Sequence, residues 1–445
     1  MSWDDLASTA LVGTDRRPYA GDLLGSAAVE VVRRRAGWRP GRPGEPVRAP
    51  DEEQEAVSRR AAERLVRILG GEHERVLPEW LSVAAGSGRR APAYVLPELL
   101  HRGRRDASMR ADLGVLAGRR GRWLAERNPV WAYLLEEPTG ETWELGSAAD
   151  RRDHLRRLRA AEPGEARRLL ESTWERETPD DRAVFVQVLA EGLSMDDEPF
   201  LEAALDDRRR EVRQGAANLL TRLPGSRLSQ RMAARARACL TVEPATITVE
   251  APSSCDKAME RDGIRPKAPR GVGERAWWLQ QVIARAPLQM WGESPGAMLR
   301  KKIPDWESEV KTAWVRAAVL QREPAWARAM FACDPISDLL VALGPAEQQE
   351  LAAGFTTEHD LDSQLIMVLG GVSPSWQETL ATAVLRKIIQ VATTQPWNLG
   401  ELVRLAGERI DPAFADLAED YSPVPSIQQV AALLRFRADM IKELS

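Results

Sequence analysis

Residues 206–226 read DDRRREVRQGAANLLTRLPGS, which is the pattern of one amphipathic helix with signals at both ends. Its apolar positions recur at intervals of four, three and four residues and so share one helical face: Val212, Ala216, Leu219 and Leu223. We expect Asp206 or Asp207 to cap the N-terminus, and Pro224 and Gly225 to end the helix. The segment therefore predicts a helix whose apolar face packs against neighbouring helices.

The flanking sequence repeats this pattern from about residue 148 to residue 241. Segments with apolar spacings of three and four follow one another, separated by short joints that contain proline, glycine or paired aspartates. Short joints make consecutive helices pack as antiparallel neighbours. Leu155, Phe185 and Val212 each begin an apolar row, at intervals of 30 and 27 residues. An irregular period of that size is typical of stacked helix pairs.

Residues 241–276 interrupt the pattern with four prolines, three glycines and a short β-like run at 246–249. This composition predicts a long loop or a boundary, with at most a short hairpin, and a preferred site of proteolytic cleavage at 241–273. Helical patterns then continue to the end of the chain. We therefore divide the sequence into an N-terminal helical region at 1–147, helical repeats at 148–241, a loop or linker at 242–273, and a C-terminal helical region at 274–445.

The composition limits the classes of function. The chain has 445 residues, of which 44% are apolar, so it is long enough to bury a sizeable core. The net charge of −4 argues against a dedicated nucleic-acid binder, which is usually strongly basic. Fifty-five of the 62 basic residues are arginine, and we interpret this bias as codon usage in a GC-rich genome. Arginine clusters are therefore weaker evidence for phosphate recognition here than in other chains.

The sequence contains no motif of known catalytic or cofactor chemistry. Cys239, Cys255 and Cys333 lie far apart, and the four histidines have no metal-ligand spacing. There is no phosphate-binding P-loop and no GxSxG motif. The start of the chain lacks the apolar segment of a signal peptide, and no apolar run is long enough to span a membrane. We predict no cofactor, no metal and no catalytic residue, no membrane contact and a cytoplasmic location.

One charge pattern is a candidate for binding a partner. On the segment RLSQRMAARARACL, Arg227, Arg231 and Arg235 recur every four residues and form one row without an acid on the same helix. Like charges at this spacing repel one another. Carboxylates of adjacent helices, solvent or an acidic ligand must therefore neutralise the row. We predict that these three arginines, together with Arg210 on the preceding helix, are contacts for a partner protein.

Residues 207–220 have the pattern D-x-x-x-x-V-R-x-x-A-x-x-L-L, which resembles the second helix of a HEAT repeat. The chain as a whole resembles an uncharacterised bacterial family through stretches spread from Trp3 to Leu444: WDDLASTALVGTDRRP, GRRGRWLAERNPVWAYL, MDDEPFLEAALDDRRREVRQGAANLLTRLPGS, RDGI, GERAWWLQQVIARAPL and AALLRFRADMIKEL. The resemblance implies a helical protein without an assigned activity, encoded near MoxR-type AAA ATPases, von Willebrand factor A domain proteins and SWIM zinc-finger proteins. It brings no catalytic residues, and it favours the ATPase and the von Willebrand factor A protein as partners.

These observations favour an all-α chain with the architecture of an irregular HEAT-like helical-repeat solenoid. A stack of helix pairs offers an extended binding surface, so we expect a non-enzymatic scaffold or adaptor for partner proteins. One alternative is a nucleic-acid-binding or DNA-repair solenoid that uses arginine and tryptophan in a contiguous positive groove. Another is an enzyme with a site assembled from scattered residues, which requires a deep pocket with perturbed carboxylates.

Overall fold

The computed structural model of the protein describes residues 3–37, 48–135, 143–144, 146, 148–394 and 399–445. The chain divides into two compact units, Met1–Glu53 and Gln54–Ser445. Among the described residues there are 24 α-helices, several short 3-10 helices and one two-stranded sheet. The prediction of an all-α fold is therefore confirmed, whereas the boundary expected at residue 147 lies outside the described residues.

The first unit contains α1 (Trp3–Val12) and α2 (Leu23–Gly37). The second unit begins with α3 (Arg59–Leu69), α4 (Leu77–Gly86), α5 (Leu96–Arg105), α6 (Arg110–Leu116), α7 (Gly118–Arg127), α8 (Ala148–Ala161), α9 (Pro163–Thr173), α10 (Pro179–Val188), α11 (Glu198–Ala204), α12 (Arg210–Thr221) and α13 (Arg227–Cys239). Two strands follow, β1 (Leu240–Val242) and β2 (Ile247–Val249). The remaining helices are α14 (Lys257–Arg261), α15 (Glu274–Arg285), α16 (Pro295–Leu299), α17 (Glu307–Gln321), α18 (Pro324–Cys333), α19 (Pro345–Glu358), α20 (Ser363–Gly371), α21 (Glu378–Thr394), α22 (Leu399–Arg409), α23 (Ala415–Tyr421) and α24 (Pro425–Leu444).

Short 3-10 helices precede or join many of these helices: Glu74–Val76, Ala93–Val95, Ala107–Met109, Pro129–Leu134, Trp174–Arg176, Met195–Asp197, Leu288–Trp291, Ser337–Ala342 and Pro412–Phe414. Most helix contacts in the second unit are with the next helix or the next but one along the chain. The helix α12 contacts α10, α11 and α13, while α15 packs between α13 and α17. This sequential packing is the helical stack that the short joints predict.

The helix α12 confirms the apolar row of the segment at 206–226. Val212 and Ala216 on this helix are fully buried, and Leu219 and Leu223 are buried as well. The predicted cap is wrong in detail, because the capping position is Arg209 and no side chain caps the helix. Asp207 instead accepts a hydrogen bond from the backbone N–H of Arg209 at 2.7 Å, just before the helix begins.

The predicted short hairpin is confirmed. Strands β1 and β2 pair antiparallel, with Thr241 opposite Thr248. The backbone N–H of Ile247 also donates to the carbonyl of Lys302 at 2.8 Å, which ties the hairpin to the segment after α16. Residues 242–273 contain α14 and several buried side chains, among them Ile247, Asp262 and Ile264. The interruption of the helical stack is therefore packed against the helices on both sides of it.

The last helix connects the two ends of the second unit. Buried residues from α3 to α7 form one apolar cluster with Phe436, Met440 and Leu444 of α24. Arg64 on α3 donates to the carboxylate of Glu443 at 2.7 and 2.8 Å. The other main cluster extends from Trp143, before α8, to the first half of α24. No helix among the described residues has the length and apolar character that crossing a bilayer requires.

Candidate functional site

The row of arginines on α13 lies against carboxylates of neighbouring elements. Arg227 donates to Glu198 on α11, with Nε to Oε1 at 2.8 Å and Nη2 to Oε2 at 3.1 Å. Arg231 contacts Glu202 on α11 at 2.9 Å and Asp262 after α14 at 2.7 Å. Arg235 reaches the second oxygen of Asp262 at 2.5 Å. The structure therefore shows that carboxylates of adjacent elements neutralise this row, which is one of the three possibilities that the sequence leaves open.

We call these ion pairs of Arg227, Arg231 and Arg235 the ion-pair ladder. Three acids beside it follow the same four-residue spacing as the arginines. Glu198, Glu202 and Asp206 recur every four residues, and both Glu198 with Arg227 and Glu202 with Arg231 are pairs 29 positions apart. Asp206 pairs with Arg261 instead, with Nε to Oδ1 at 2.6 Å. Hydrogen bonds from Arg227 lower the pKa of Glu198, and hydrogen bonds from Arg261 lower the pKa of Asp206. The four-residue spacing of these acids can be recognised in the sequence. The prediction that the arginine row contacts a partner did not take it into account.

Arg210 lies apart from the ladder. It is exposed, pairs weakly with its neighbour Glu211 at 3.3 Å, and lines a surface hollow of about 430 Å³. A second hollow of about 340 Å³ shares Gln214, Arg265 and Trp277 with the first. Together the two hollows form a groove between α12, the segment after α14, α15 and α17. Of the four predicted contacts, the structure thus groups three in the ladder and places Arg210 in this groove, while their role in partner binding stays a prediction.

We call this feature the Arg–Trp groove. Its cationic and aromatic lining residues are Arg210, Arg213, Arg265, Lys267, Arg285, Arg316 and Trp277. Two acids, Glu260 and Asp338, also line it. The guanidinium of Arg316 lies over the Trp277 ring, 5.5 Å from its centroid. The groove is therefore predominantly positive, with one large aromatic side chain between its two hollows.

Neutral oxygens hold three arginines of the groove. Arg213 donates to the backbone carbonyls of residues 207 and 208, at 2.7 and 3.0 Å. Arg265 donates to the amide oxygen of Gln214 at 3.3 Å, and Arg316 donates to that of Gln280 at 3.2 Å. In the part of the chain that the structure describes, neither these three arginines nor Lys267 forms an ion pair. The three arginines are therefore positioned by neutral groups and have no carboxylate in direct contact, in contrast to the ladder.

The segment after α14 carries Arg265 and is fixed by its neighbours. The amide of Gln281 on α15 accepts from the backbone N–H of Arg265 at 2.8 Å and donates to its carbonyl at 3.1 Å. Gly263 has φ +83°, and a Cβ added there would lie 2.7 Å from the Cβ of Ala217 on α12. Glycine is therefore required at this close approach, because it alone combines a positive φ with the absence of a side chain. In the sequence, this required glycine is visible as the second residue of DGIRP, residues 262–266, within the segment predicted to be a loop.

The cysteines and the metal-ligating side chains of the described residues form no reactive site. Burial raises the pKa of both Cys239 and Cys255 to about 11, so neither thiol has the lowered pKa of an activated nucleophile. Across the described ranges, no group of three or more His, Cys, Asp or Glu side chains is arranged to hold a metal ion. The Arg–Trp groove is the candidate site on which these observations converge.

Comparison with known families places nearly the whole chain in one of them. Residues 5–444 match the family model described as Family of unknown function (DUF5691). No curated protein matches the chain, and no solved structure does.

Proposed function

The chain belongs to the DUF5691 family, and we propose that it is a non-enzymatic, HEAT-like helical-repeat scaffold that binds an acidic segment of a partner protein in the Arg–Trp groove. The observation that carries the proposal is the set of cations in this groove that neutral oxygens hold in place. Guanidinium groups without a carboxylate partner attract acidic ligands and bind them through charge-assisted hydrogen bonds. The remaining support comes from the helical stack, which presents the groove on its surface.

The shape of the groove suits an extended segment. The two hollows are open and share three lining residues, so we expect a chain to lie along α12 and α15 across both of them. Trp277 lies at the junction and is half-buried, which leaves part of its ring available to an apolar side chain of the partner. Aromatic residues in such positions are frequent anchors of protein interfaces.

The arginine row of α13 is a secondary part of this proposal. Arg227 remains partly exposed, so it could contact the same partner beside its bond to Glu198. Arg231 and Arg235 already share the buried carboxylate of Asp262, which leaves fewer of their donors for a ligand. Arg210 is the better placed of the four predicted contacts, because it is exposed and lies in the groove itself.

We further propose that the partner is a MoxR-type AAA ATPase or a von Willebrand factor A domain protein. This part rests on the gene neighbourhood that the family resemblance implies, which supports a partnership without showing a mechanism. It can be tested separately by measuring whether each purified protein binds the wild-type chain and a groove variant. A cytoplasmic location, where such partners would meet the chain, belongs to the same proposal.

The acidic-segment proposal is tested by fluorescence anisotropy with a labelled peptide of alternating glutamate and serine. The groove variant combines Arg213→Gln, Arg265→Gln and Arg316→Gln. Each accessible ion pair contributes up to about 1 kcal/mol, so we expect the triple variant to bind about tenfold more weakly than wild type. The matched control combines Arg59→Gln, Arg168→Gln and Arg328→Gln, which changes the net charge equally at exposed positions on α3, α9 and α18.

The control should bind the peptide within about twofold of wild type, because its three arginines lie outside the groove and the equal change in net charge affects only the nonspecific attraction. Equal loss in both triple variants would refute a specific site. The nucleic-acid alternative is supported by the same cations and by Trp277, since exposed rings can stack on bases. It is tested with a single-stranded oligonucleotide, which should bind weakly and lose affinity steeply with salt. Tighter binding of the oligonucleotide than of the peptide at physiological salt would favour that alternative.

A further inference from the structure

A buried guanidinium without an acidic partner lines the smaller hollow of the Arg–Trp groove, which we call the inner end of the groove. Arg285, the last residue of α15, is only 5% exposed and lines the smaller hollow. Its Nη2 donates to the amide oxygen of Asn218 on α12 at 3.0 Å, while its Nε has no hydrogen-bond partner. Within the described part of the chain, no carboxylate lies within ion-pair distance of it. A buried charge in this state is unfavourable, because neither solvent nor a counter-ion stabilises it.

Other buried arginines of this protein have a carboxylate. Arg159 is fully buried and contacts Asp197 through both Nη atoms, at 3.0 and 2.6 Å. Arg437 on α24 likewise holds both oxygens of Glu79, at 2.7 and 2.9 Å. For Arg285, burial and the nearby positive charge of Arg265 lower the pKa to about 10. The fold thus places Arg285 near a second cation, Arg265, whereas it places a carboxylate beside Arg159 and Arg437.

The surroundings of Arg285 form a connected set of neutral amides. Asn218 Oδ1 accepts from both Arg285 and Gln214, and the side chain of Gln214 in turn accepts from Arg265 at 3.3 Å. Arg265 and Arg316 line the same hollow as Arg285, and Asp338 is the one acid among the described lining residues. Three cations therefore face a space that contains a single carboxylate.

We propose that the inner end of the groove binds a phosphate group carried on a side chain of the acidic partner segment, with Arg285 and Arg265 as its direct ligands. This inference rests on the proposed function and specifies its ligand. A phosphorylated side chain has close to two negative charges and three acceptor oxygens near pH 7, which suits two or three guanidinium groups better than one carboxylate does. The ligand belongs to a longer chain, because the hollow shares Gln214 and Trp277 with the rest of the groove, which the remainder of the segment would occupy.

The first measurement compares three labelled peptides of one acidic sequence that differ at a central position, which is serine, glutamate or phosphoserine. We expect the phosphoserine peptide to bind about tenfold more tightly than the other two, as charge-assisted bonds to a dianion are the stronger ones. Its affinity should also rise as the pH increases from about 5 to 7.5, where the phosphate loses its second proton. The glutamate peptide should show no such rise across that range.

The second measurement uses Asn218→Asp, which places a carboxylate beside Arg285 without removing a side chain. This variant should melt at a higher temperature than wild type, because it supplies the missing counter-ion. It should also lose the preference for phosphoserine over serine. The matched control is Gln280→Glu, which adds the same charge beside Arg316 at a residue that lines neither hollow. That control should weaken all three peptides alike and keep the preference for phosphoserine.

The outcomes separate the two proposals. If all three peptides bind equally and the groove triple variant weakens them, the phosphate pocket is wrong and the acidic-segment scaffold stands. If no peptide binds, both fail. A phosphoserine preference that persists in Asn218→Asp would show that the phosphate binds elsewhere and would overturn the pocket at Arg285. Tighter binding of a single-stranded oligonucleotide, lost in Asn218→Asp, would assign the phosphate to nucleic acid and overturn the partner-segment source.

Discussion

The carboxylate of Asp262 accepts a hydrogen bond from Arg231 on α13, with Nη2 to Oδ1 at 2.7 Å, although 31 residues separate the two in sequence. Arg235 donates to the other oxygen of the same carboxylate at 2.5 Å. Asp262 is 1% exposed, so this group fixes the start of the segment that carries Gly263 and Arg265. The ion-pair ladder and the Arg–Trp groove are therefore mechanically connected, since Asp262 belongs to the ladder and begins the segment that lines the groove.

Replacement of Asp262 by asparagine should destabilise the protein. The substitution leaves Arg231 and Arg235 without their shared counter-ion, and both arginines are largely withdrawn from solvent. Breaking a fully buried pair costs about 3–5 kcal/mol, and the partial exposure of these arginines reduces our expectation to about 2–3 kcal/mol. Urea denaturation followed by circular dichroism measures the difference in the free energy of unfolding.

The matched control for that variant is Asp180→Asn. Asp180 also pairs with an arginine, Arg209 at 2.8 Å, but its side chain is 84% exposed. Exposed pairs contribute up to about 1 kcal/mol, so this variant should unfold within about 1 kcal/mol of wild type. A result in which both variants lose the same stability would show that the carboxylate of Asp262 is solvated.

The substitution Ala216→Asp should destabilise α12 and its neighbours by about 3–5 kcal/mol, because it places an unpaired charge in a fully buried position. The melting temperature should fall accordingly, or the protein should fail to fold. Met367→Asp on α20 provides the control, since Met367 is an exposed apolar side chain. A wild-type melting temperature for Ala216→Asp would mean that the apolar face of α12 is open to solvent.

Stability in acid should depend on Glu198. Hydrogen bonds from Arg227 lower the pKa of this carboxyl in the folded state, so its contribution is complete above its ordinary pKa of 4.5 and is lost as the pH falls through the folded value. We expect Glu198→Gln to have a lower urea midpoint than wild type at pH 7. The gap should close progressively below about pH 4.5, where the wild-type carboxyl becomes protonated. A gap that is the same at pH 3 and pH 7 would contradict this assignment.

Local periodicity explains why much of the fold could be predicted and much of the site could not. The row that contains Val212 and Ala216 is a property of one helix, and the structure confirms its burial. The sequence around Arg285 has only an ordinary helical pattern, because the neutral surroundings of its guanidinium depend on side chains as distant as Asn218, 67 residues away. The contact between Arg64 and Glu443 spans 379 residues and has no local signature at all.

Limited trypsin digestion should cleave first within residues 241–273, as the composition predicts. Lys267 and Arg270 are exposed there and provide cleavage sites for trypsin. We expect two large fragments on a denaturing gel that still elute together in size-exclusion chromatography, because Asp262 and the hairpin are packed against helices. First cuts inside α8 to α13 would contradict the prediction, and separation of the fragments without denaturant would contradict the packing.

Charge reversal along α13 should distinguish structural from binding roles of the arginines. Changing Arg227, Arg231 and Arg235 together to glutamate brings like charges against Glu198, Glu202 and Asp262, so we expect a large loss of stability. Arg210→Glu should instead melt like wild type and bind the acidic peptide more weakly, because Arg210 is exposed and lines the groove.

A charge exchange completes this test. Arg227→Glu combined with Glu198→Arg should recover most of the stability that Arg227→Glu loses alone, because the pair is restored with its charges exchanged. The peptide affinity of the folded exchange variant then shows how the charge of residue 227 affects ligand binding, because the ion pair with residue 198 is preserved. Wild-type affinity in that variant together with reduced affinity in Arg210→Glu would locate the partner contact in the groove. Reduced affinity in the exchange variant would extend the contact to the exposed end of the row.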